Sequence, residues 1–528
     1  MVNQDTQVAR TYHQATKHSP WSVQANRHYL DWNNQPLQFK VYIEGEKISL
    51  PRDLVATNYA AIPAIANPGL ANREEVFPDL AQVAYLLYYS AGITKKLVYP
   101  QGEIAFRAAA CAGALYPIEI YLVCGELPGL SAGVYHFSPE DFSLVRLRRG
   151  DFRTHLVQAS GDDSDVAQAP LSFVYTAITW RSSWKYQARA YRYHYWDCGT
   201  ILANSLAACS AQQLPAKVGM GFLDEQVNQL IGIDGVDEKS LCLLPVGRAG
   251  AQTPAAPELT ILNPPVLPLS GEQRPYPLID EIHLNSRLFD SDEVRAWRES
   301  VTPADPVGEF DADRLTRLEP VDFYHAEEGK SLEKVIVRRG SSRHFKMEAI
   351  SIQELNSMLQ AATQGFMYDW PEPSEGFLNR LYLSVHAVDG LPAGKYRYWP
   401  EQAGLELLEE GDFRSQAAYL CLGQQLGGAA SVTVFFLADL PAILSRSGNR
   451  GYRITQMEAG IIGGKLYLTA YALGRGATGL TFFDDEVVRF FSPSAAGLDA
   501  IFVTAIGVPA TSSHPQGRLV YMAPGRGG

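Results

Sequence analysis

Cysteine is sparse in this chain: Cys111, Cys124, Cys198, Cys209, Cys242 and Cys421 are thinly spread, five of them in the first half. None belongs to a C-x-x-C pair and none joins histidines at zinc-ligand spacing, so neither a disulfide scaffold nor a metal centre is expected, and the thiols read as reduced. Basic blocks are missing too. The net charge of -12 is spread along the sequence, which leaves no cationic footprint for a phosphodiester backbone and makes nucleic acid an unexpected partner. No run approaches the roughly 18 apolar residues of a membrane span, and the first ten residues lack the apolar core of a signal peptide. A soluble, cytoplasmic protein with no membrane partner is the expectation. Nothing resembles the glycine fingerprint of dinucleotide sites, so a tightly held NAD is not expected.

What is present is the composition of a folded globular protein, with 46% hydrophobic and 19% charged residues. At 528 residues the chain exceeds a single core, and two large domains fit its length. Residues 1–50 are polar and aromatic without a clear period and read as an irregular arm laid over a domain. Residues 80–92 read as a helix closed by Gly92 in a left-handed conformation. Residues 118–124 and 171–180, alternating and rich in β-branched and aromatic side chains, read as strands, and a long helix is expected over 195–212. Proline clusters between 249 and 276 mark a semi-rigid connector. The division is therefore an arm over 1–50, a first domain over 51–249, a linker with a short helix over 250–319, and a second domain over 320–528.

The second half repeats the first. Gly133, Tyr135 and Pro139, followed by Gly150-Asp151-Phe152-Arg153, recur as Gly394, Tyr396 and Pro400 followed by Gly411-Asp412-Phe413-Arg414, at a constant offset of 261. Tyr191-Arg192 and Gly199 recur as Tyr452-Arg453 and Gly460 at the same offset. With a shift of one residue, Gly219, Phe222, Asp224 and Val227 become Gly479, Phe482, Asp484 and Val487. Two copies of one fold in one chain imply an intramolecular pseudo-dimer, because a two-fold interface is the commonest association of like units.

Chemistry is expected where the copies differ. Lys185-Tyr186 lies among Trp180, Trp184, Tyr191, Tyr193, Tyr195 and Trp196, where partial desolvation can bring a lysine toward neutrality as a base; aromatic packing alone would give the same texture. At the offset of 261 this pair becomes Arg446-Ser447, so only the first half carries it. The second half instead has Arg339-Gly340-Ser341-Ser342-Arg343, between a helix expected from Ser331 and one opened by the capping box Ser351 to Glu354. Arginine forks and hydroxyls on a glycine-containing turn suit a phosphate, although a solvated basic turn has the same composition. The first-half counterpart, near residues 66–70, has neither arginine nor serine. A third element, Cys111-Ala112-Gly113-Ala114-Leu115-Tyr116, has small residues ahead of a strand, which admits a flat ligand or makes an ordinary loop.

On these residues the sequence resembles the flavin-dependent nitroreductase fold, and within it the SagB-type and ThcOx-type azoline dehydrogenases. The Arg-x-Ser-x-Arg motif at 339–343, the loop at 111–117, the Trp-Lys-Tyr run at 184–186 and the arm residues Thr16 to Pro20 and Leu30-Asp31-Trp32 carry the resemblance. It implies a tandem α+β, nitroreductase-like pseudo-dimer with FMN at the interface of the halves. Arg339, Ser341 and Arg343 would hold the phosphate, Gly479, Leu480 and Thr481 would run beside the ring, residues 111–116 would close the pocket, and Lys185 and Tyr186 would face the substrate. One composite site would be complete and its symmetry mate dead. Cys111 stands where the family loop has serine, Gly340 where many relatives have a second arginine, and Arg107 has no Pro-Ser after it; the first weakens a hydrogen bond, since a thiol is a poor donor.

The implied reaction is oxidation of a thiazoline or oxazoline of a peptide or carrier-bound intermediate to an azole, with Lys185 as base, Tyr186 as its partner, and oxygen regenerating the flavin. The resemblance leaves room for a cyclodehydratase partner and for further homo-oligomerisation. Two other functions stay open: an NAD(P)H-dependent reductase of nitro compounds or quinones, and a non-catalytic scaffold in a peptide-modifying complex.

Overall fold

The alternating runs at Ile118–Cys124 and Leu171–Ile178 pair as adjacent central strands of a six-stranded antiparallel sheet. Its order is Glu46–Ser49, Ser143–Arg149, Gly133–Ser138, Ile118–Cys124, Leu171–Ile178, Glu238–Val246. The second half builds a seven-stranded sheet in the order Gly476–Gly479, Asp499–Gly507, Val432–Ala438, Asn379–Val385, Gly394–Trp399, Gly404–Glu410, Leu315–Arg317. Five strands of each sheet follow the same order, and Ile118, Leu171 and Glu238 start strands whose counterparts start at Asn379, Val432 and Asp499. The repeat read from the sequence is thus a repeat of a whole α+β fold. The structure, a computed structural model, describes the chain apart from residues 1, 68–73, 101, 251–254, 256, 302–309, 324–328, 371–375, 511–517 and 523–528. The outer part of the 66–70 slot and residues 251–254 of the connector lie outside the described residues.

Two helices, Ala190–Ala211 and Arg450–Ala472, run through the centre and are buried on every side for nearly their whole length. Gly199 and Gly460 meet where they touch: a Cβ on Gly199 would lie 2.6 Å from the backbone of Gly460. The repeated glycine is what lets the halves close at their pseudo-dyad. Repeated ion pairs lock the same seam. Arg192 donates to Asp484 across it at 2.7 Å, and Arg453 donates to Asp224 at 2.5 Å; all four side chains are buried. The arginines hold both carboxyls below the ordinary carboxylate range.

Several local readings are corrected. Gly92 is extended (φ -68°) rather than left-handed; glycine is needed because a Cβ would meet the Tyr88 backbone at 2.8 Å. The strand expected over 171–180 stops at Ile178, where its neighbour Glu238–Val246 begins, and Thr179–Tyr186 turns into a helix. The long helix opens at Ala190, five residues before the expected start, because burial all round erases the polar face that would have marked it. The arm is not irregular throughout: Gln7–Ala15 is helical, buries Ala9 and Tyr12, and reaches the second half through His13 Nδ1 and the Tyr452 hydroxyl, 3.1 Å apart. Among the described residues no helix is long and apolar enough to cross a membrane.

Candidate active site

A cavity of about 650 Å³ opens at the seam, and both halves line it. From the first half come Cys111, Ala112, Gly113, Ala114 and Tyr116 on the loop before the strand Ile118–Cys124, and Lys185 and Tyr186 at the end of the helix Thr179–Tyr186. From the second come Arg339, Ser341 and Arg343 just beyond the helix Leu332–Arg338, and Gly479, Leu480 and Thr481 at the end of the edge strand Gly476–Gly479. Ser331 and the Ser351–Glu354 capping box frame the Arg339 turn as the spacing predicts. Leu115 does not line the cavity: it packs behind the loop against Trp180 and Trp184.

Lys185 and Tyr186 sit directly over the loop. A Cβ on Gly113 would come within 2.7 Å of the Tyr186 hydroxyl and 3.2 Å of Lys185 Nζ, so only glycine leaves that space, and its positive φ (63°) suits glycine as well. Tyr186 stacks on Tyr193, with ring centroids 4.2 Å apart, and Lys185 Nζ lies 5.4 Å from the Tyr186 ring centre. Burial, and then the Arg343 guanidinium, lower the pKa of Lys185. Burial pushes the Tyr186 phenol well up, so it remains a donor. The pair thus combines a lysine made easier to deprotonate with a phenol that keeps its proton.

The Arg339 end is cationic. Arg339 is buried and spends Nε and Nη2 on the carbonyls of Ala108 (2.8 Å) and Arg107 (3.1 Å), which ties the turn to the first half and leaves Nη1 for a ligand. Lys95, on the strand Ile93–Tyr99, donates to the carbonyls of Arg338 (3.1 Å) and Arg339; burial and the Arg339 charge bring its pKa down to about 7. Ser342 carries a buried hydroxyl with no partner among the described residues, packed against Gly476 where an added Cβ would meet it. Among the described residues Lys95, Lys185, Arg339 and Arg343 form no ion pair. Converging cations fit a bound phosphate monoester, and the glycine-lined cavity beside them fits a flat ring. No group of three or more metal-ligating side chains occurs among the described residues.

Sequence reasoning missed Lys95 and Asp197. Asp197, buried one helical turn beyond Tyr193, accepts from the Ala112 amide (2.9 Å) and from the Cys111 thiol (3.2 Å), and burial pushes its carboxyl up to about 7. The offset of 261 carries a signal for it, since Asp197 maps onto Glu458. Lys95 has no such mark.

Among the described residues, side chains occupy the symmetry-related position. Gly219-Met220-Gly221, the counterpart of Gly479 to Thr481, has its Met220 and Gly221 amides on the Asp369 carboxylate, each at 2.7 Å. Arg298, from the linker helix Ser291–Ser300, donates to Asp369 (3.3 Å) and to the Gly221 carbonyl (2.9 Å), and Trp297 packs beside it. At the slot itself Phe323 packs on Ala66 and Ala361, and the hollow there is about 10 Å³.

The nitroreductase family model matches residues 75–248 and again 336–508, well over half of the chain. The protein belongs to the nitroreductase family, and carries its domain twice. A Methanocaldococcus jannaschii protein named as a nitroreductase is 28% identical over 169 residues, 32% of this chain and 80% of that one. The trifolitoxin-processing protein TfxB of Rhizobium leguminosarum bv. trifolii is 27% identical over 172 residues, 31% of this chain and 46% of TfxB. A crystal structure from Anabaena variabilis, described as a nitroreductase, superposes with a TM-score of 0.74 at 26% identity and covers 95% of this chain and 99% of its own.

Proposed function

We propose that this oxidoreductase is an FMN-dependent dehydrogenase of the SagB/ThcOx type that oxidises thiazoline or oxazoline rings of a peptide or peptide-like intermediate to azoles. The observation that carries the reading is the Lys185–Tyr186 pair held over Gly113, in a cavity that also gathers cations with no ion pair among the described residues. FMN, when bound, supplies a two-electron acceptor. Lys95, Arg339, Arg343 and Ser341 would hold its phosphate, while Gly479 to Thr481 and residues 111–114 would border its ring.

Lys185 Nζ takes the proton from the ring carbon of the substrate, which requires the neutral amine that burial favours. The Tyr186 phenol donates to the substrate and orients it; the stack on Tyr193 fixes the ring that does so. Trp196 and Phe502 wall the cavity and limit water. The trifolitoxin-processing name of the Rhizobium relative favours an intermediate of natural-product maturation as substrate.

The test is turnover of a thiazoline-containing peptide by the FMN-loaded protein, read as loss of two hydrogens by mass spectrometry. Lys185→Ala should abolish turnover while keeping its flavin. Equal turnover by Lys185→Ala would remove the base from the account, and faster NADPH oxidation with a nitroarene than azoline turnover would replace the reading with a reductase.

A further inference from the structure

Each half spends an acid at the same place on its central helix. Glu458 accepts from the Leu378 amide (3.2 Å), the Asn379 amide (2.8 Å) and the Asn379 side chain (2.8 Å), so its carboxyl is consumed in holding the chain as it enters the strand Asn379–Val385. Asp197 instead accepts with one oxygen from the Ala112 amide, at 2.9 Å, farther back on the loop ahead of Ile118–Cys124. Its other oxygen meets only the Cys111 thiol, at 3.2 Å, and the carboxyl lines the cavity. A fold-holding acid needs neither feature.

We propose that Asp197 is a positioning residue that acts through the loop at 111–113, fixing where Lys185 and Tyr186 stand and setting the charge beside them. The inference rests on the catalytic reading of that pair. The loop supports the pair: Ala112 is tethered to Asp197, and Gly113, the next residue, is the one on which the Tyr186 hydroxyl and Lys185 Nζ close. The titratable groups beside the carboxyl are Cys111 from the loop, Tyr186 from the helix Thr179–Tyr186 and Cys198 from its own helix, with Arg107 and Tyr116 lining the small hollow next to it. No cation pairs with it among the described residues. Ionised, Asp197 places a negative charge beside the Tyr186 phenol and the Cys111 thiol and opposes loss of either proton; neutral, it keeps the loop hydrogen-bonded without that charge. Burial puts the midpoint at about 7.

Two readouts test this on the full chain. In flavin-free protein, alkylation of Cys111 reports the charge directly, because the thiolate reacts and the other five cysteines are buried. The wild-type rate should show an inflection at about pH 7 beyond the simple rise with hydroxide, and Asp197→Asn, which can keep the Ala112 hydrogen bond while its amide nitrogen donates to the Cys111 sulfur, should lose it. In the FMN-loaded enzyme, Asp197→Asn should lose the matching limb of the kcat–pH profile with flavin content unchanged. Glu458→Gln should keep both features. Should Asp197→Asn not fold, Asp197→Glu, which keeps the acid, should retain the inflection at a shifted pH. An alkylation inflection that survives in Asp197→Asn, or that Glu458→Gln removes, overturns the proposal. An enzyme inactive on azolines overturns the catalytic reading alone, and the alkylation arm still decides Asp197.

Discussion

Replacing Arg192 by methionine should cost the protein about 3 kcal/mol and loosen the seam on which the cavity depends. Arg192 is fully buried and donates to Asp484 (2.7 Å), to the His13 carbonyl (2.8 Å) and to the Thr16 hydroxyl (2.9 Å), so it ties the second half, the arm and its own helix together. Removing one member of a buried pair strands the other, at about 3 to 5 kcal/mol. The lower end applies, because Asp484 keeps Arg189 at 3.0 Å and the His18 amide at 2.8 Å. Urea unfolding followed by tryptophan fluorescence measures the loss, and Arg453→Met, which leaves Asp224 with Arg450 at 2.6 Å, should lose a similar amount. Asp484 titrates below its ordinary 3.8, so its stabilising contribution is present above that pH and is lost as pH falls toward the depressed value. The gap between wild type and Arg192→Met should therefore persist at neutral pH, resist added salt, and shrink in acid. A loss under about 1 kcal/mol would mean that helix packing at Gly199 and Gly460, and not these ion pairs, holds the halves together.

Lys185→Ala should lower kcat on an azoline substrate by about 100- to 10,000-fold with bound flavin unchanged, the range expected for a general base; a drop below tenfold would assign the proton elsewhere. Lys95 is held near 7 in the flavin-free protein, and a phosphate dianion beside it would raise that value, so FMN binding at about pH 8 should take up a proton. Calorimetry in buffers of different ionisation heat measures the uptake; Lys95→Met should abolish it, and equal heats for wild type would contradict the placement. Removing the plug with Trp297→Ala and Arg298→Ala should lower stability and leave the flavin count per chain unchanged, whereas a second flavin would show that the plug alone silences that side.

The repeat was legible because its marks are structural: glycines at the helix crossing, arginines and aspartates of the seam, and turn residues of the strands keep one offset. The parts of the site carried by motifs, Arg339 to Arg343, residues 111–116 and Lys185-Tyr186, converge on one cavity apart from Leu115, whose side chain turns back to Trp180 and Trp184. What escaped reading is set by tertiary packing. Lys95 comes from a hairpin with nothing in its pattern to mark it. The helices at 179–186 and 190–194 lie within a run whose burial on all sides hides a helical period. The plug of the second site was invisible for a similar reason: Trp297 and Arg298 belong to a charged linker helix whose destination only the fold reveals.

Flavin stoichiometry tests the central claim most directly. FMN released from the purified, reconstituted protein should number about one per chain, and Arg339→Ala with Arg343→Ala should remove it. Two per chain would contradict the filled second site, and none would contradict a flavin site at the seam.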